Sequence, residues 1–299
     1  MKLLTISKYI FCGLALTLAA CSGSESDPDF SDSESEPATG TPRTLQLTIT
    51  QTETRATLTP SGDKLDELAP SWTANDKLTY RNFDYNATGP LTATVSATIS
   101  PFVGSVTCNP GHKLAVVYPA VEITDTYTIT LSEQDGTLET LASKYHYVYG
   151  VATVNSVTET TASATMPKMK SLLTACKFSF KDKATNASIP VKSLKISFNI
   201  DGDGGYKGTY PQTATVLLNK DQSNVHATAV PGSAPLLVEL DEARAEVYVA
   251  MVPTNPEAPT PRQFYFRVFD GTDYFTGTAK AHLPEGEYVV ATDLKLNKE

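Results

Sequence analysis

The sequence has 299 residues, of which 40% are hydrophobic, so the chain is long enough and apolar enough to bury more than one core. Acidic residues outnumber basic ones by 33 to 24, and the formal net charge is −9. Because proteins bind nucleic acid phosphates through clustered lysine and arginine, this balance argues against nucleic acid as a partner.

The first twenty residues have the features of a secretory signal peptide. Lys2 and Lys8 give a basic start, and an almost wholly apolar run follows from Tyr9 to Ala20. This run is shorter than the roughly 20 residues that span a bilayer. It ends in two alanines before Cys21, which is the pattern of a bacterial lipobox. We predict that residues 1–20 are removed and that Cys21 is acylated, for example with palmitate; the alternative is an ordinary signal peptide with a chance cysteine.

Residues 21–43 have the composition of a disordered acidic tether. Residues 21–41 hold six acidic residues and no basic one. A segment of this kind cannot bury enough apolar surface to offset the entropy of ordering it. Acidic residues soon after the cysteine (Glu25, Asp27 and Asp29) also resemble the lipoprotein export signal of Bacteroidetes. That resemblance implies a place on the outer face of the outer membrane.

From Thr44 onward the hydrophobic pattern has a period of two residues, which is typical of half-buried strands. Continuous apolar runs indicate strands buried on both faces, and Asp270-Gly271-Thr272 predicts a hairpin turn. No segment predicts an amphipathic helix of three turns. We therefore predict an all-β protein with two β-sandwich domains, residues 44–168 and 169–299. The clearest alternating segments are Leu45 to Ile49, Tyr127 to Leu131 and Leu194 to Ile200.

Residues with chemical reactivity are few and scattered. Cys108 and Cys176 are far apart in sequence and do not indicate a disulfide framework, although a bridge between them remains open. The four histidines have no partners at zinc-ligand spacing, and there is no G-x-S-x-G motif. Trp72 and the tyrosines could form a sugar-binding platform, but in a β-sandwich we predict that most are core residues or cross-strand pairs. We predict no catalytic residue, no cofactor and no metal site, and hence that the protein is not an enzyme.

Short segments along the chain, taken in their order, resemble one known family. They are Thr54-Arg55-Ala56-Thr57-Leu58; Pro70-Ser71-Trp72 with Asp76-Lys77-Leu78; Phe102-Val103-Gly104; Ala115 to Pro119; Gln134-Asp135-Gly136-Thr137; Tyr145, Tyr147, Tyr149 and Gly150; Met169 to Leu172 with Phe178-Ser179-Phe180; Val249 to Pro253; and Leu283-Pro284 with Gly286 and Tyr288. Together they resemble the fimbrillin family of Bacteroidales, the subunits of type V pili. The likeness covers roughly residues 44–296.

The resemblance implies a fold of two transthyretin-like β-sandwich domains and a mode of assembly. In this family an arginine-specific protease removes the first strand of a lipoprotein precursor, and a strand from another subunit fills the groove by strand addition. The matching first strand here is Leu45 to Thr50. Cleavage after Arg55 removes this strand together with the lipid, whereas cleavage after Arg43 removes only the tether. We therefore predict cleavage at Arg55, and the segment Tyr288 to Leu296 as the strand donated by a stalk subunit.

The expected partners follow from the same resemblance. They are other pilus subunits, the outer membrane through the lipid before processing, and a host or bacterial surface ligand. The expected location is the surface of the outer membrane or the fimbrium, with a role in cell adhesion. The alternatives left open are a tip adhesin, an anchor subunit, or a surface glycan-binding lipoprotein.

Overall fold

The computed structural model describes residues 44–51, 59–60, 71–198, 210–230, 235–254 and 261–299. All of these belong to one compact unit, residues 42–299. The predicted signal peptide and tether, and with them Cys21, Arg43 and Arg55, lie outside the described residues. No helix within the described ranges has the length and apolarity needed to cross a membrane.

Almost all regular structure is β-strand. The strands in chain order are β1 (Thr44–Gln51), β2 (Thr59–Pro60), β3 (Lys77–Asn82), β4 (Ala87–Ala93), β5 (Phe102–Thr107), β6 (Lys113–Tyr118), β7 (Thr126–Thr130), β8 (Val148–Val157), β9 (Thr161–Met166), β10 (Lys170–Ser171), β11 (Thr174–Asp182), β12 (Ser188–Ile189), β13 (Val191–Phe198), β14 (Thr213–Leu217), β15 (Ala227–Ala229), β16 (Leu236–Arg244), β17 (Val247–Met251), β18 (Arg262–Phe269), β19 (Tyr274–Ala281) and β20 (Glu287–Lys298).

Helical structure in the described residues is limited to short turns. A one-turn helix α1 (Leu138–Thr140) continues into a π-helical turn (Leu141–Tyr145), and a 3-10 turn covers Gln222–Asn224. The prediction of an all-β chain is therefore confirmed. The predicted hairpin is confirmed as well: β18 pairs with β19, and Gly271 in the connecting turn has a φ of 108°, which favours glycine.

The first sheet has eight strands and closes on itself. Its order is β10-β8-β6-β3-β4-β5-β1-β9, and β8 also pairs with β9, which completes a barrel. β1 is therefore one of the barrel strands and lies between β5 and β9. Closure of a sheet in this way leaves the barrel strands without open edges.

Aromatic and aliphatic side chains fill the first barrel. Trp72 is almost fully buried and packs edge-on against Phe102 and Tyr118, with ring centroids 4.9 and 5.2 Å apart. Ile49 of β1 is completely buried in the same cluster. The prediction that most aromatic residues are core residues rather than a sugar-binding platform agrees with the position of Trp72.

The second sheet has nine strands and its own core. Its path is β12-β11-β20-β19-β18-β13-β16, with β17 paired to β11 and β2 paired to β20. Its core includes the packed rings of Phe178, Phe180 and Phe266. Two β bodies with separate cores confirm the predicted two-part all-β architecture.

A third, three-stranded sheet joins segments from the two halves of the chain. Its order is β15-β14-β7, so β7, which precedes residue 168, pairs with β14, which follows it. Tyr127 and Ile129 of β7 accordingly pack in the same core as the second sheet. The domain boundary between residues 168 and 169 remains a prediction.

Candidate functional site

The candidate functional site is the position of β1 in the first barrel. β1 pairs antiparallel with β5, from Thr44 opposite Thr107 to Ile49 opposite Phe102. On its other edge β1 pairs parallel with β9, from Gln46 opposite Thr161 to Gln51 opposite Met166. Both edges of this strand are thus occupied by backbone ladders.

The alternation of β1 places Ile49 inward and its neighbours outward. Ile49 is fully buried, whereas Thr48 and Thr50 are exposed. Full burial of one isoleucine contributes about 1.5–3 kcal/mol. The sequence Thr44–Gln51 contains no charged residue, so the strand makes no side-chain ion pair. It is held by backbone pairing and apolar burial.

Removal of β1 would open the barrel into a slot the width of one strand. Neighbouring strands lie about 4.7–4.9 Å apart, so the edges of β5 and β9 would face each other across about 9.5 Å. Each edge would carry a row of unpaired N–H and C=O groups, which form a template for another strand. The slot has a defined polarity, because β5 runs antiparallel and β9 parallel to its occupant.

The wall formed by β5 depends on a glycine. A Cβ atom at Gly104 would collide with the backbone carbonyl oxygen of Pro90 and with the Leu91 side chain of β4. Gly104 lies opposite Leu47 in the β1 ladder. The close approach of β4 and β5 at this point therefore requires glycine.

The predicted cleavage residue Arg55 falls in sequence between β1 and β2, outside the described residues. β1 ends at Gln51 in the first sheet, and β2 begins at Thr59, where it pairs with Glu287 of β20 in the second sheet. A cut between Gln51 and Thr59 would separate β1 from the rest of the chain without cutting a described strand.

The segment predicted as the donated strand is built into the second sheet. β20 pairs parallel with β11 along most of its length, from Tyr288 opposite Ala175 to Leu296 opposite Asp182. Its end is held by ion pairs. Arg267 forms a bidentate pair with Glu299, at 3.0 Å from Nε to Oε1 and 2.7 Å from Nη2 to Oε2.

Three side chains make up this fastening, which we call the C-terminal clasp: Arg267, Tyr274 and Glu299. The Arg267 guanidinium lies 3.9 Å from the centroid of the Tyr274 ring, and the Glu299 N–H donates to the Tyr274 carbonyl. The hydrogen bonds from Arg267 hold the pKa of the Glu299 carboxyl below its usual value. Charge-assisted bidentate pairs of this kind are stronger than neutral hydrogen bonds.

The two described cysteines are buried, and each lies in a different core. Cys108 and Cys176 are free thiols in the two separate cores, so they do not form a bridge. Burial raises the pKa of Cys108 to about 11 and raises that of Cys176 as well, so both remain protonated at neutral pH. The part of the chain that the structure describes holds no group of three or more His, Cys, Asp or Glu suited to a metal ion.

Sequence reasoning missed the pairing of β1 and the clasp. The alternation of β1 predicted a strand but not its two neighbours. The clasp joins residues that are distant in sequence and carry no motif. The structure gives no position for Cys21, Arg43 or Arg55, so lipidation and cleavage remain predictions.

Comparison with known proteins identifies the fold. No protein-family model matches the sequence, and no curated protein matches it. Among solved structures, a candidate cell adhesion protein from Bacteroides uniformis is similar, with a TM-score of 0.52 and 13% identity over 88% of this chain and 98% of that chain. The two proteins share a fold. At this identity the similarity extends no further than the fold.

Two other solved structures are less similar. A candidate cell adhesion protein from Bacteroides fragilis has a TM-score of 0.39 and 9% identity, over 83% of this chain and 92% of that chain. A variant of the shaft pilin SpaA from Lactobacillus rhamnosus has a TM-score of 0.33 and 12% identity, over 87% and 98%. TM-scores below 0.5 support no argument about this chain.

Proposed function

We propose that the protein is a fimbrial subunit that assembles by strand exchange and contributes to cell adhesion. In this proposal the precursor is anchored to the outer membrane through acylated Cys21. Cleavage after Arg55 separates β1 from the remaining chain, and a strand from another subunit takes its place between β5 and β9. The resulting polymer is a surface fimbrium, and the protein has no enzymatic activity.

The placement of β1 is the observation that carries this proposal. β1 is joined to its barrel by backbone ladders on both edges, and the only covalent link to the following strand contains Arg55. Another extended segment can reproduce backbone pairing whatever its sequence, whereas it could not reproduce a set of specific ion pairs. The fold shared with a candidate cell adhesion protein supports the same reading.

The glycan-binding alternative receives no specific support. A sugar platform requires exposed aromatic rings, but Trp72 is buried. Among the described aromatic side chains, Tyr274 is the most exposed, at 41%, and it contacts Arg267 and Phe269. A tip subunit would differ from a stalk subunit in donating no strand, and an anchor subunit would differ in keeping its lipid. Donation of β20 would require the clasp between Arg267 and Glu299 to open.

The test is to sequence the N-terminus of the surface form and to run the same material on an unheated SDS gel. We expect a start at Ala56 and a ladder of heat-sensitive multimers. Arg55→Ala should abolish both, because the strand stays attached. Arg43→Ala is the matched control and should leave both unchanged. A surface form that still begins at acylated Cys21 would show that the strand-exchange proposal is wrong.

A further inference from the structure

A strand that takes the place of β1 meets two different environments, one on each face of the barrel wall. Ile49 is completely buried, whereas Thr48 and Thr50 on either side of it are exposed. Successive side chains of a strand point to opposite faces of its sheet. An incoming strand therefore presents one set of side chains to the barrel core and the other set to solvent.

The inward position is enclosed by apolar side chains from both flanking strands. Ile49 lies opposite Phe102 of β5 and opposite Ala164 of β9. Phe102 is completely buried, Ala164 is almost completely buried, and both belong to the same core cluster as Ile49. A polar side chain at this position would lose its contact with water and gain no hydrogen bond from these two neighbours, which have no polar side-chain atoms. The position therefore requires an apolar residue.

The outward positions are bordered by uncharged side chains. Thr48 lies opposite Val103 of β5 and Ser163 of β9, and Thr50 lies opposite Thr165 of β9. The side chains of these three neighbours are exposed. Neither β5 nor β9 contains an Asp, Glu, Lys or Arg. The two strands that flank the slot therefore carry no charge toward its occupant.

The charges nearest to this surface in sequence lie beyond the ends of β9. They are Glu159, in the turn before the strand, and Lys168, two residues after it, and they have opposite signs. On the other side of β5, Thr92 of β4 lies opposite Val103. Cross-strand pairs of like charge destabilise a sheet, and pairs of opposite charge stabilise it. A charged side chain at an outward position of the slot would form neither kind of pair with β5 or β9.

We propose that the β1 slot selects its incoming strand by an apolar side chain at the Ile49 position and does not discriminate by charge at the outward positions. This inference rests on the proposed strand exchange and names the class of partner. The partner is an extended segment of a pilus subunit that runs antiparallel to β5 and parallel to β9, with one apolar residue in this place. Interfaces that discriminate between partners by charge place charged groups opposite each other. Since the strands flanking the slot have none, it accepts strands from subunits of differing charge, and mixed polymers form.

The test measures the binding of synthetic strands to the full chain. A site for a sequence-specific protease is placed between Gln51 and Thr59, and the folded protein is cut in vitro, so the result does not depend on natural cleavage at Arg55. The melting temperature of the uncut protein is compared with that of the wild type. A fluorescent peptide with the sequence Thr44–Gln51 is then exchanged into the cut protein, and unlabelled peptides compete with it.

The competing peptides change the outward and inward positions separately. Two carry paired charges outward, as Thr48→Lys with Thr50→Lys and as Thr48→Glu with Thr50→Glu. Two change the inward residue, as Ile49→Ala and Ile49→Val. A scrambled peptide of wild-type composition is the control for binding that does not depend on the order of residues.

We expect both charged peptides to compete within about threefold of the wild-type peptide, at low salt and at roughly 0.3 M salt, where exposed charges are screened. Ile49→Ala should compete at least about 30-fold less well, because loss of a buried isoleucine side chain leaves a cavity, whereas Ile49→Val should lose about two- to tenfold. The scrambled peptide should not compete.

Two results would overturn the selection rule and leave strand exchange standing. One is a difference of more than about tenfold between the lysine and glutamate peptides at low salt, which would show that the slot discriminates by charge. The other is equal competition by Ile49→Ala, which would show that the inward side chain does not select the strand. If the cut, folded protein does not bind even the wild-type peptide, strand exchange itself is wrong, and the selection rule with it.

Discussion

Each of the two large sheets is closed by one segment, and the two segments are held in different ways. The first barrel is closed by β1, which fits between β5 and β9 through backbone ladders. The ends of the second sheet, β16 and β17, are bridged by the irregular segment 131–137. This bridge uses a backbone hydrogen bond from the Tyr248 N–H to the Gly136 carbonyl, and the side chain of Gln134.

The side-chain amide of Gln134 forms hydrogen bonds with backbone groups that a neighbouring strand would otherwise pair with. Its Nε2 donates to the Leu131 and Ala250 carbonyls, at 3.2 and 3.0 Å, and its Oε1 accepts from the Ala250 N–H at 2.7 Å. Its own carbonyl accepts from the Glu239 N–H in β16. The buried amide thus satisfies backbone groups that would otherwise lack partners.

The first closure uses backbone pairing, whereas the second also uses a specific side chain. Any extended segment of suitable polarity can supply the backbone groups that pair with β5 and β9. The side-chain amide of Gln134 places both a donor and an acceptor on Ala250, which an apolar or singly charged side chain cannot do. Under the proposed strand exchange, the first barrel is therefore the body that would accept a foreign strand.

The largest expected effect comes from a charge on the inward face of β1. Ile49→Asp would bury a carboxylate without a partner in the barrel core. We expect a loss of more than about 4 kcal/mol in the free energy of unfolding, because the cost combines lost apolar burial with desolvation of a charge. The measurement is urea denaturation followed by circular dichroism.

The control for this variant is the next residue in the same strand. Thr48→Asp places the same charge on the exposed face and should cost less than about 1 kcal/mol, as surface substitutions usually do. Equal losses from the two variants would mean that β1 does not insert with Ile49 inward.

A smaller effect is expected from the closure of the second sheet. Gln134→Ala would leave the N–H and C=O of Ala250 without partners and should cost about 2–3 kcal/mol. Hydrogen exchange should increase in β16 and β17 and stay unchanged in β5 and β9. The control is Gln222→Ala. The Gln222 side chain donates one exposed hydrogen bond, to the Lys168 carbonyl, so its loss should lower the free energy of unfolding much less. Faster exchange in β5 and β9 would show that the two closures are not independent.

Local features of the fold could be predicted from the sequence. Alternation identified β1, β7 and β13, because a half-buried strand leaves a period-two pattern in its own residues. Asp270 to Thr272 identified the hairpin between β18 and β19, since a tight turn is determined by the few residues that form it. In each case the residues that form the strand or turn are the same residues that carry the pattern in the sequence.

The partners of the strands could not be predicted in this way. Thr44–Gln51 contains nothing that specifies a parallel ladder with β9, which lies more than a hundred residues later. The pairing of β7 with β14 likewise crosses the predicted domain boundary, because strand partners are selected by the packing of the whole core. Gln134 was noted only as part of a resemblance, and its amide contacts with Ala250 carry no sequence pattern.

The smallest expected effect concerns the end of β20, which must loosen if this strand is ever donated. Arg267→Gln removes the bidentate pair with Glu299 and should lower stability by less than about 1 kcal/mol, since both side chains are partly exposed. Amide exchange should increase at the end of β20. The loss of stability caused by Arg267→Gln should also depend on pH. The pKa of Glu299 in the folded protein lies below its ordinary value of 4.5, so this contribution is present above that value and is lost as the pH falls below it.

The melting temperatures of wild type and Arg267→Gln should therefore differ most at neutral pH and converge in acid. A Glu299→Gln background serves as the control, because without a carboxylate the substitution of Arg267 should have little effect at any pH. If the clasp retains β20 in its own sheet, a fibre-forming mixture should incorporate Arg267→Gln as a strand donor at least as readily as the wild type. Slower incorporation would mean that the fastened form of β20 is the one that takes part in assembly, and that the clasp orders the strand for donation instead of retaining it.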